Sequence, residues 1–307
     1  MYNPDTDIPD LSGKVILVTG GNTGLGKETC LSLAKHNPKR LFIAARNAKT
    51  AESVISNMGR LTPHVEFVFV ECDLGSLASV SKAANEIVSS TDRLDLFFCN
   101  AGILGAPPGL TADGYEIHFG VNHLGHALLI KLLLPTLLHT ANFQPDVRVV
   151  TTASDGYRFH ASEGIIFRDL RTTQLNLSVL SSLGGKDSWR RYSQSKLANI
   201  VYTVELARRY PVIKFVAVHP GVCDTAMTPG WIKGNAISRM LFVPGGLKTP
   251  EEGAYNQLWA ATGKYVVSGG YYEPVGIVGH KTPKSRDDKL RNELWEWTEM
   301  QMQTWSA

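Results

Sequence analysis

The stretch KVILVTGGNTGLGKETCLSLAKH, residues 14–36, decides the fold. Its first six residues are an apolar, β-branched run, the pattern of a strand covered on both faces. Gly20, Gly24 and Gly26 follow in a G-x-x-x-G-x-G spacing, and a helical pattern runs from Gly24 to His36, before Asn37-Pro38. Strand, glycine turn and helix in that order make a variant of the dinucleotide fingerprint. Glycine permits the sharp turn, lets the backbone approach a pyrophosphate and lets helix and strand pack closely. Free N–H groups and the dipole at the helix start favour an anion. A glycine-rich turn without a ligand is the bland alternative, and the flanking strand and helix weigh against it.

Working outward, similar short runs recur at 41–45 (LFIAA), 65–70 (VEFVFV), 94–99 (LDLFFC), 147–152 (VRVVTT), 214–219 (KFVAVH) and 270–275 (GYYEPV), with a helix-like stretch near 50–58. Apolar strands interleaved with helices predict a doubly wound α/β fold, a mostly parallel seven-stranded sheet with helices on both faces. No linker or internal repeat divides the chain, so a single domain is expected over residues 1–307. Two stretches, 155–191 and 226–249, break the alternation. Both follow strand carboxyl ends, where doubly wound folds bind ligands, and are the candidate substrate walls. A last helix is expected at about 287–305, with an apolar face that must be buried over the pocket or against another subunit.

Composition narrows the function classes. At 43% hydrophobic and 19% charged, the chain is neither disordered nor fibrous, and 31 basic against 28 acidic side chains leave too little charge to indicate a nucleic-acid partner. Cys30, Cys72, Cys99 and Cys223 lie far apart with no metal-ligand spacing, so no metal is expected and the thiols read as reduced. The polar, acidic N-terminus lacks a signal-peptide pattern. The longest apolar candidate, around 124–138, is interrupted by His126, Lys131 and Pro135, so no membrane span and a cytoplasmic location are expected.

The cofactor can be read more finely. Where the fingerprint usually has an acid for the ribose 2′-hydroxyl, the chain has Ala44-Ala45-Arg46-Asn47. A guanidinium pairs with a 2′-phosphate that a carboxylate would repel, so NADP(H) is favoured over NAD; the alternative is a solvated arginine at a helix entry. Further along, Tyr192 and Lys196 stand four apart in a helical pattern, on one face, where an ammonium can stabilise a phenolate and lower its pKa. Alone, this spacing is commonly a surface pair.

Together with TGGNTGLG (19–26), CNAG (99–102), GVNHLGH (120–126), VVTTAS (149–154), YSQSK (192–196) and HPGVCDT (219–225), the chain resembles the short-chain dehydrogenase/reductase family over about residues 11–275. VNHLGH and the Ala-Arg ending of the second strand are most similar to the retinol dehydrogenase-like branch and its WW-domain oxidoreductase relatives. The resemblance implies a Rossmann fold and a catalytic set of Asn122, Ser154, Tyr192 and Lys196. Tyr192 would be the general acid, Lys196 would depress its pKa and hold the nicotinamide ribose, Ser154 would bond the substrate oxygen, and Asn122 would position a relay water. It implies cofactor contacts from Gly20, Asn22, Thr23, Gly24, Leu25 and Gly26 at the turn, and from Arg46, Asp73, Leu74, Asn100, Ala101 and Gly102 on the adenosine side. Pro220, Gly221, Val222 and Thr225 would frame the nicotinamide, together with Tyr192 and Lys196. Asp155, Trp231 and Phe242 are the candidate substrate contacts, the last two in a region where the family has a lid. Dimerisation through the helices starting near Asn122 and Tyr192 is also implied.

Three departures stand out. Cys99 replaces the first Asn of the usual NNAG, Ala153 replaces the first Ser of a frequent pair, and 37 residues separate Ser154 from Tyr192, more than in the short family form. The resulting expectation is an NADP(H)-dependent oxidoreductase acting on a carbonyl or alcohol of an apolar or aromatic metabolite, in the manner of a tailoring reductase of secondary metabolism. The alternative is a non-redox isomerase, dehydratase or cyclase that retains NADP on this scaffold.

Overall fold

The computed structural model describes residues 2–144, 146–177, 187–228, 234 and 246–305. Seven strands form one all-parallel sheet: β1 (Val15–Thr19), β2 (Arg40–Ala45), β3 (Glu66–Glu71), β4 (Leu96–Cys99), β5 (Arg148–Thr152), β6 (Lys214–Val218) and β7 (Tyr271–Tyr272), in the order β3-β2-β1-β4-β5-β6-β7. The order reverses beside β1, so the crevice between the carboxyl ends of β1 and β4 is the switch point at which such sheets bind ligands. β7 is shorter than its sequence pattern because Glu273 N turns to the carbonyl of Ile277 instead of extending the ladder.

The connecting helices are α1 (Gly24–Ala34), α2 (Ala48–Leu61), α3 (Leu77–Ser90), α4 (Gly125–Phe143), α5 (Asp187–Arg209), α6 (Pro250–Thr262) and α7 (Asp288–Gln301). Alternation along β1 explains the layering. Val15 and Leu17 join a core with α3, α4, α5 and α7, whereas Ile16 and Val18 join a second core with α1, α2 and α6. α4 continues from a short helical turn, Ile117–Phe119, and a π-turn, Gly120–Leu124. The run Ile117–Phe143 is long and apolar enough to cross a membrane by length and composition, but most of it is buried inside the protein.

The tail helix is buried against its own chain. Trp295 stacks on Tyr202 (5.4 Å between centroids) under the Arg209 guanidinium, Lys131 pairs with Glu299 at 2.8 Å, and Thr298 Oγ1 meets His123 Nε2 at 3.1 Å. α7 therefore packs on α4 and α5, the two helices through which the resemblance implies dimerisation.

Candidate active site

The cofactor side is built from the turn between β1 and α1. Gly24 has a left-handed φ of +50°, and a Cβ there would meet only Thr225, at 3.6 Å. Thr225, on the loop after β6, thus closes over the glycine turn. At Gly26 a Cβ would penetrate the Gly20 carbonyl and come within 2.6 Å of Asn100 Nδ2, so only glycine lets α1 approach β1 and β4 this closely. Thr23 begins α1 without placing its side chain on the first-turn amides, which keeps those donors available to an anion. A pyrophosphate fits this cradle by its donor chemistry.

The surrounding residues divide between lining and bracing. Asn22 Nδ2 donates to Thr50 Oγ1 (2.7 Å), tying the turn to α2. Asn100 Nδ2 donates to the Thr19 carbonyl (2.8 Å), and the Thr19 hydroxyl oxygen accepts from the amides of Asn100 and Ala101 (3.0 Å each). Asn100 therefore carries the structural bond, while Cys99 is buried and its thiol is pushed up by burial. Asp73 Oδ1 accepts from the Gly75 amide (2.9 Å), and Ser76, not Asp73, caps α3; Leu74 packs in the core. Arg46 is exposed just past β2 with no ion-pair partner among the described residues.

On the other side of the crevice, Ser154, Tyr192, Lys196 and Asn122 come together. Tyr192 is buried, and a Cβ on Gly156 would meet both Ser154 Oγ (3.2 Å) and the Tyr192 ring (3.4 Å), so the two side chains flank that glycine. Ser154 Oγ also accepts from the Gly156 amide (3.1 Å), because the chain enters a 3-10 turn immediately after β5. Lys196 Nζ donates to the Thr152 carbonyl at 2.7 Å and lies 5.7 Å from the Tyr192 ring centroid. Asn122 sits inside the π-turn, not at a helix cap. Its Nδ2 donates to the Ile103 carbonyl and Ser195 Oγ (3.0 Å each), and its Oδ1 accepts from the Ile103 amide at 2.8 Å. Gly102 fills the gap between Asn122 Oδ1 and Lys196 Nζ, which a Cβ would approach to 3.0 and 3.5 Å.

The electrostatics correct one expectation. Four-residue spacing suggests a phenol acidified by Lys196, yet burial pushes Tyr192 up to about 12, opposed by the neighbouring Ser154 hydroxyl. Burial pushes Lys196 down to about 8. Desolvation penalises phenolate and ammonium alike, and the Lys196 ammonium is turned to Thr152.

At the nicotinamide end, Pro220, Gly221 and Val222 follow β6. Lys248 braces this loop: its amide donates to Val222 O, its carbonyl accepts from Asp224 N, and its Nζ lies 3.4 Å from Pro220 O. Of the substrate candidates, Asp155 is held 2.7 Å from Arg158 Nε, and Arg158 also pairs with Glu273. Trp231 and Phe242 lie outside the described residues. No cluster of metal ligands occurs among the described residues, and all four cysteines are buried and free.

Sequence reading passes over several residues that complete this arrangement. Ser195 bridges the site by donating to Tyr192 O (2.6 Å) while accepting from Asn122, and its place inside YSQSK is a usable signal. His126, one turn beyond Asn122, links Asn122 O (3.2 Å) to Thr19 Oγ1 (2.9 Å). Gln257, which reaches Thr29 and Asn100 from α6, has no local signal at all.

Known proteins resemble this chain along most of its length. Residues 14–164 match the short chain dehydrogenase family model. The chain is 35% identical to a short-chain dehydrogenase/reductase of Armillaria gallica, over 96% of this chain and 92% of that one. It is 31% identical to retinol dehydrogenase 11 of Homo sapiens, over 95% and 86% respectively. A solved structure of an uncharacterized protein from Mycobacterium Paratuberculosis superposes with a TM-score of 0.73 at 26% identity, covering 98% of this chain and 97% of that one. The chain belongs to the short-chain dehydrogenase/reductase family of oxidoreductases, in its retinol dehydrogenase-like branch.

Proposed function

We propose that the chain is an NADP(H)-dependent oxidoreductase acting on a carbonyl or alcohol carbon of an apolar or aromatic metabolite, the class of compound modified in tailoring steps of secondary metabolism. The observation that carries this reading is the meeting of Ser154 and Tyr192 at Gly156 beside Lys196, at the strand ends facing the glycine turn. When bound, the nicotinamide supplies or accepts the hydride. In this reading the amides of the 20–26 turn hold the pyrophosphate, Arg46 pairs with the 2′-phosphate, and Asp73, Leu74, Asn100, Ala101 and Gly102 line the adenosine side. Pro220, Gly221, Val222 and Thr225 frame the nicotinamide end.

The remaining chemistry belongs to side chains. Ser154 orients the substrate oxygen, and Tyr192 Oη passes its proton to that oxygen in the reducing direction. A phenol held at about 12 keeps its proton across the neutral range, which suits a donor. Lys196, its ammonium anchored on the Thr152 carbonyl, would hold the nicotinamide ribose. Asn122, its carboxamide engaged with Ile103 and Ser195, would in this reading position the relay water. A cytoplasmic, reducing setting fits four buried free thiols.

The test is oxidation of NADPH and NADH by the purified protein against aromatic and long-chain aldehydes, ketones and quinones, with product analysis. NADPH consumption well above that of NADH is expected. Product formation with no change in reduced-nicotinamide absorbance would replace this reading with a non-redox one.

A further inference from the structure

Arg191, the residue before Tyr192, is among the largest fully buried side chains, at 2% exposure. Its Nη2 donates to the Ala106 carbonyl (3.1 Å) on the segment leaving β4, and its Nη1 to the Thr173 carbonyl (3.3 Å) in the long 155–191 stretch. Its Nε lies 3.8 Å from Oε1 of Glu116, which is itself wholly buried. Glu116 takes His118 Nδ1 on Oε1 (3.0 Å) and the Phe119 amide on Oε2 (2.8 Å). His118 Nε2 accepts from the Ala106 amide (3.2 Å), so the ring carries its proton on Nδ1, and it meets the Tyr192 ring edge-on at 6.4 Å. The Glu116 amide donates to Leu170 O (2.8 Å), and Gln194 joins Gln174 and the Ile166 amide to α5.

A buried ion pair is a poor source of net stability compared with apolar residues of similar volume. What the guanidinium does here, and an apolar side chain could not, is fork between carbonyls of two separate segments that pack on the start of α5, the helix carrying Tyr192. We propose that Glu116 and Arg191 form a buried clamp positioning the segments 103–106 and 170–174 around Tyr192, which makes Arg191 a positioning residue that determines which carbonyl substrates fit. The proposal rests on the reading of Tyr192 as the reacting group.

The test compares the wild type with R191K, R191M and E116Q/R191M by thermal unfolding, by amide hydrogen exchange at 103–106 and 170–174, and by kinetics on a compact aldehyde and a bulky aryl ketone. R191M should lose thermal stability because Glu116 is left buried and unpaired, and E116Q/R191M should recover it because neither charge remains. The double variant should nevertheless exchange about tenfold faster at those amides. Its KM for the bulky ketone should rise about tenfold more than that for the aldehyde, with NADPH affinity unchanged. R191K, which keeps the charge but not the fork, should show both changes to a smaller extent. Wild-type exchange and an unaltered KM ratio in the double variant, or in R191K if the double variant does not fold, would overturn the clamp. Should the wild type turn over no carbonyl compound, the functional reading fails while the exchange measurement still decides the clamp.

Discussion

Around the glycine turn, Gly24 and Gly26 shape the backbone directly, and the bracing side chains of Asn22 and Asn100 sit in or beside recognisable motifs. Around Tyr192 the chain is held differently. Arg191 reaches a carbonyl 85 positions away, Arg158 reaches Glu273 across 115, and Arg171 bonds the Tyr115 hydroxyl across 56. The cofactor side uses backbone groups and the absence of side chains, which one short stretch can encode. The substrate side uses polar side chains, buried in the case of Arg191, that meet only after folding, and such contacts can be changed without disturbing the nucleotide cradle. The two sides of the crevice should therefore fail independently.

The largest effect should come from Tyr192→Phe, which removes the proton donor and leaves the cradle intact. We expect kcat to fall about 1,000-fold while the NADPH dissociation constant stays within about twofold. Retained turnover would end the assignment of Tyr192. The reciprocal lesion is Arg46→Asp. NADPH binding, followed by fluorescence titration, should weaken about 100-fold and NADH binding by much less. Equal losses for both cofactors would mean that Arg46 is only a solvated charge.

His126 joins the two sides, and its ionisation offers a third test. Burial holds His123 near 3, His126 near 4 and His219 near 3, all below the ordinary histidine value of 6.5. The unfolded chain takes up these protons first as pH falls, so the stability they contribute is complete above pH 6.5 and is lost progressively towards the folded values. Urea unfolding should show that loss between pH 6.5 and about 4, and His126→Gln should reduce its slope by up to about 1.4 kcal/mol per pH unit. An unchanged slope would mean that His126 titrates normally. Smallest is Gly24→Ala: the left-handed φ should cost about 1 kcal/mol, lowering Tm by a few degrees, while kcat at saturating NADPH is preserved. A collapse of kcat instead would show that the turn and the Tyr192 side are coupled.

Much of this organisation is legible before folding. Each of the seven strand patterns corresponds to a strand, most ends agreeing within a residue or two, because continuous apolar runs have few other places to go in a parallel sheet. β7 departs furthest, where a turn at Glu273 takes over the backbone bonds. Tyr192 and Lys196 share a helix face by their spacing, but as a set with Ser154 and Asn122 they are legible only through the family motifs. The fate of the 155–191 stretch is not legible, since nothing periodic in it points to Glu116 or Ala106.

By itself, the sequence determined the parallel sheet and the glycine turn, because backbone hydrogen bonding and side-chain periodicity act over short distances along the chain, and its motifs carried the family and the four candidate side chains. Only the tertiary structure decided that α7 folds back on α4 and α5, that the Asn122 carboxamide is engaged with Ile103 and Ser195, and that Tyr192 is held towards higher pKa instead of lower. Those outcomes depend on burial and on partners far away in the chain, and desolvation has no counterpart in residue spacing.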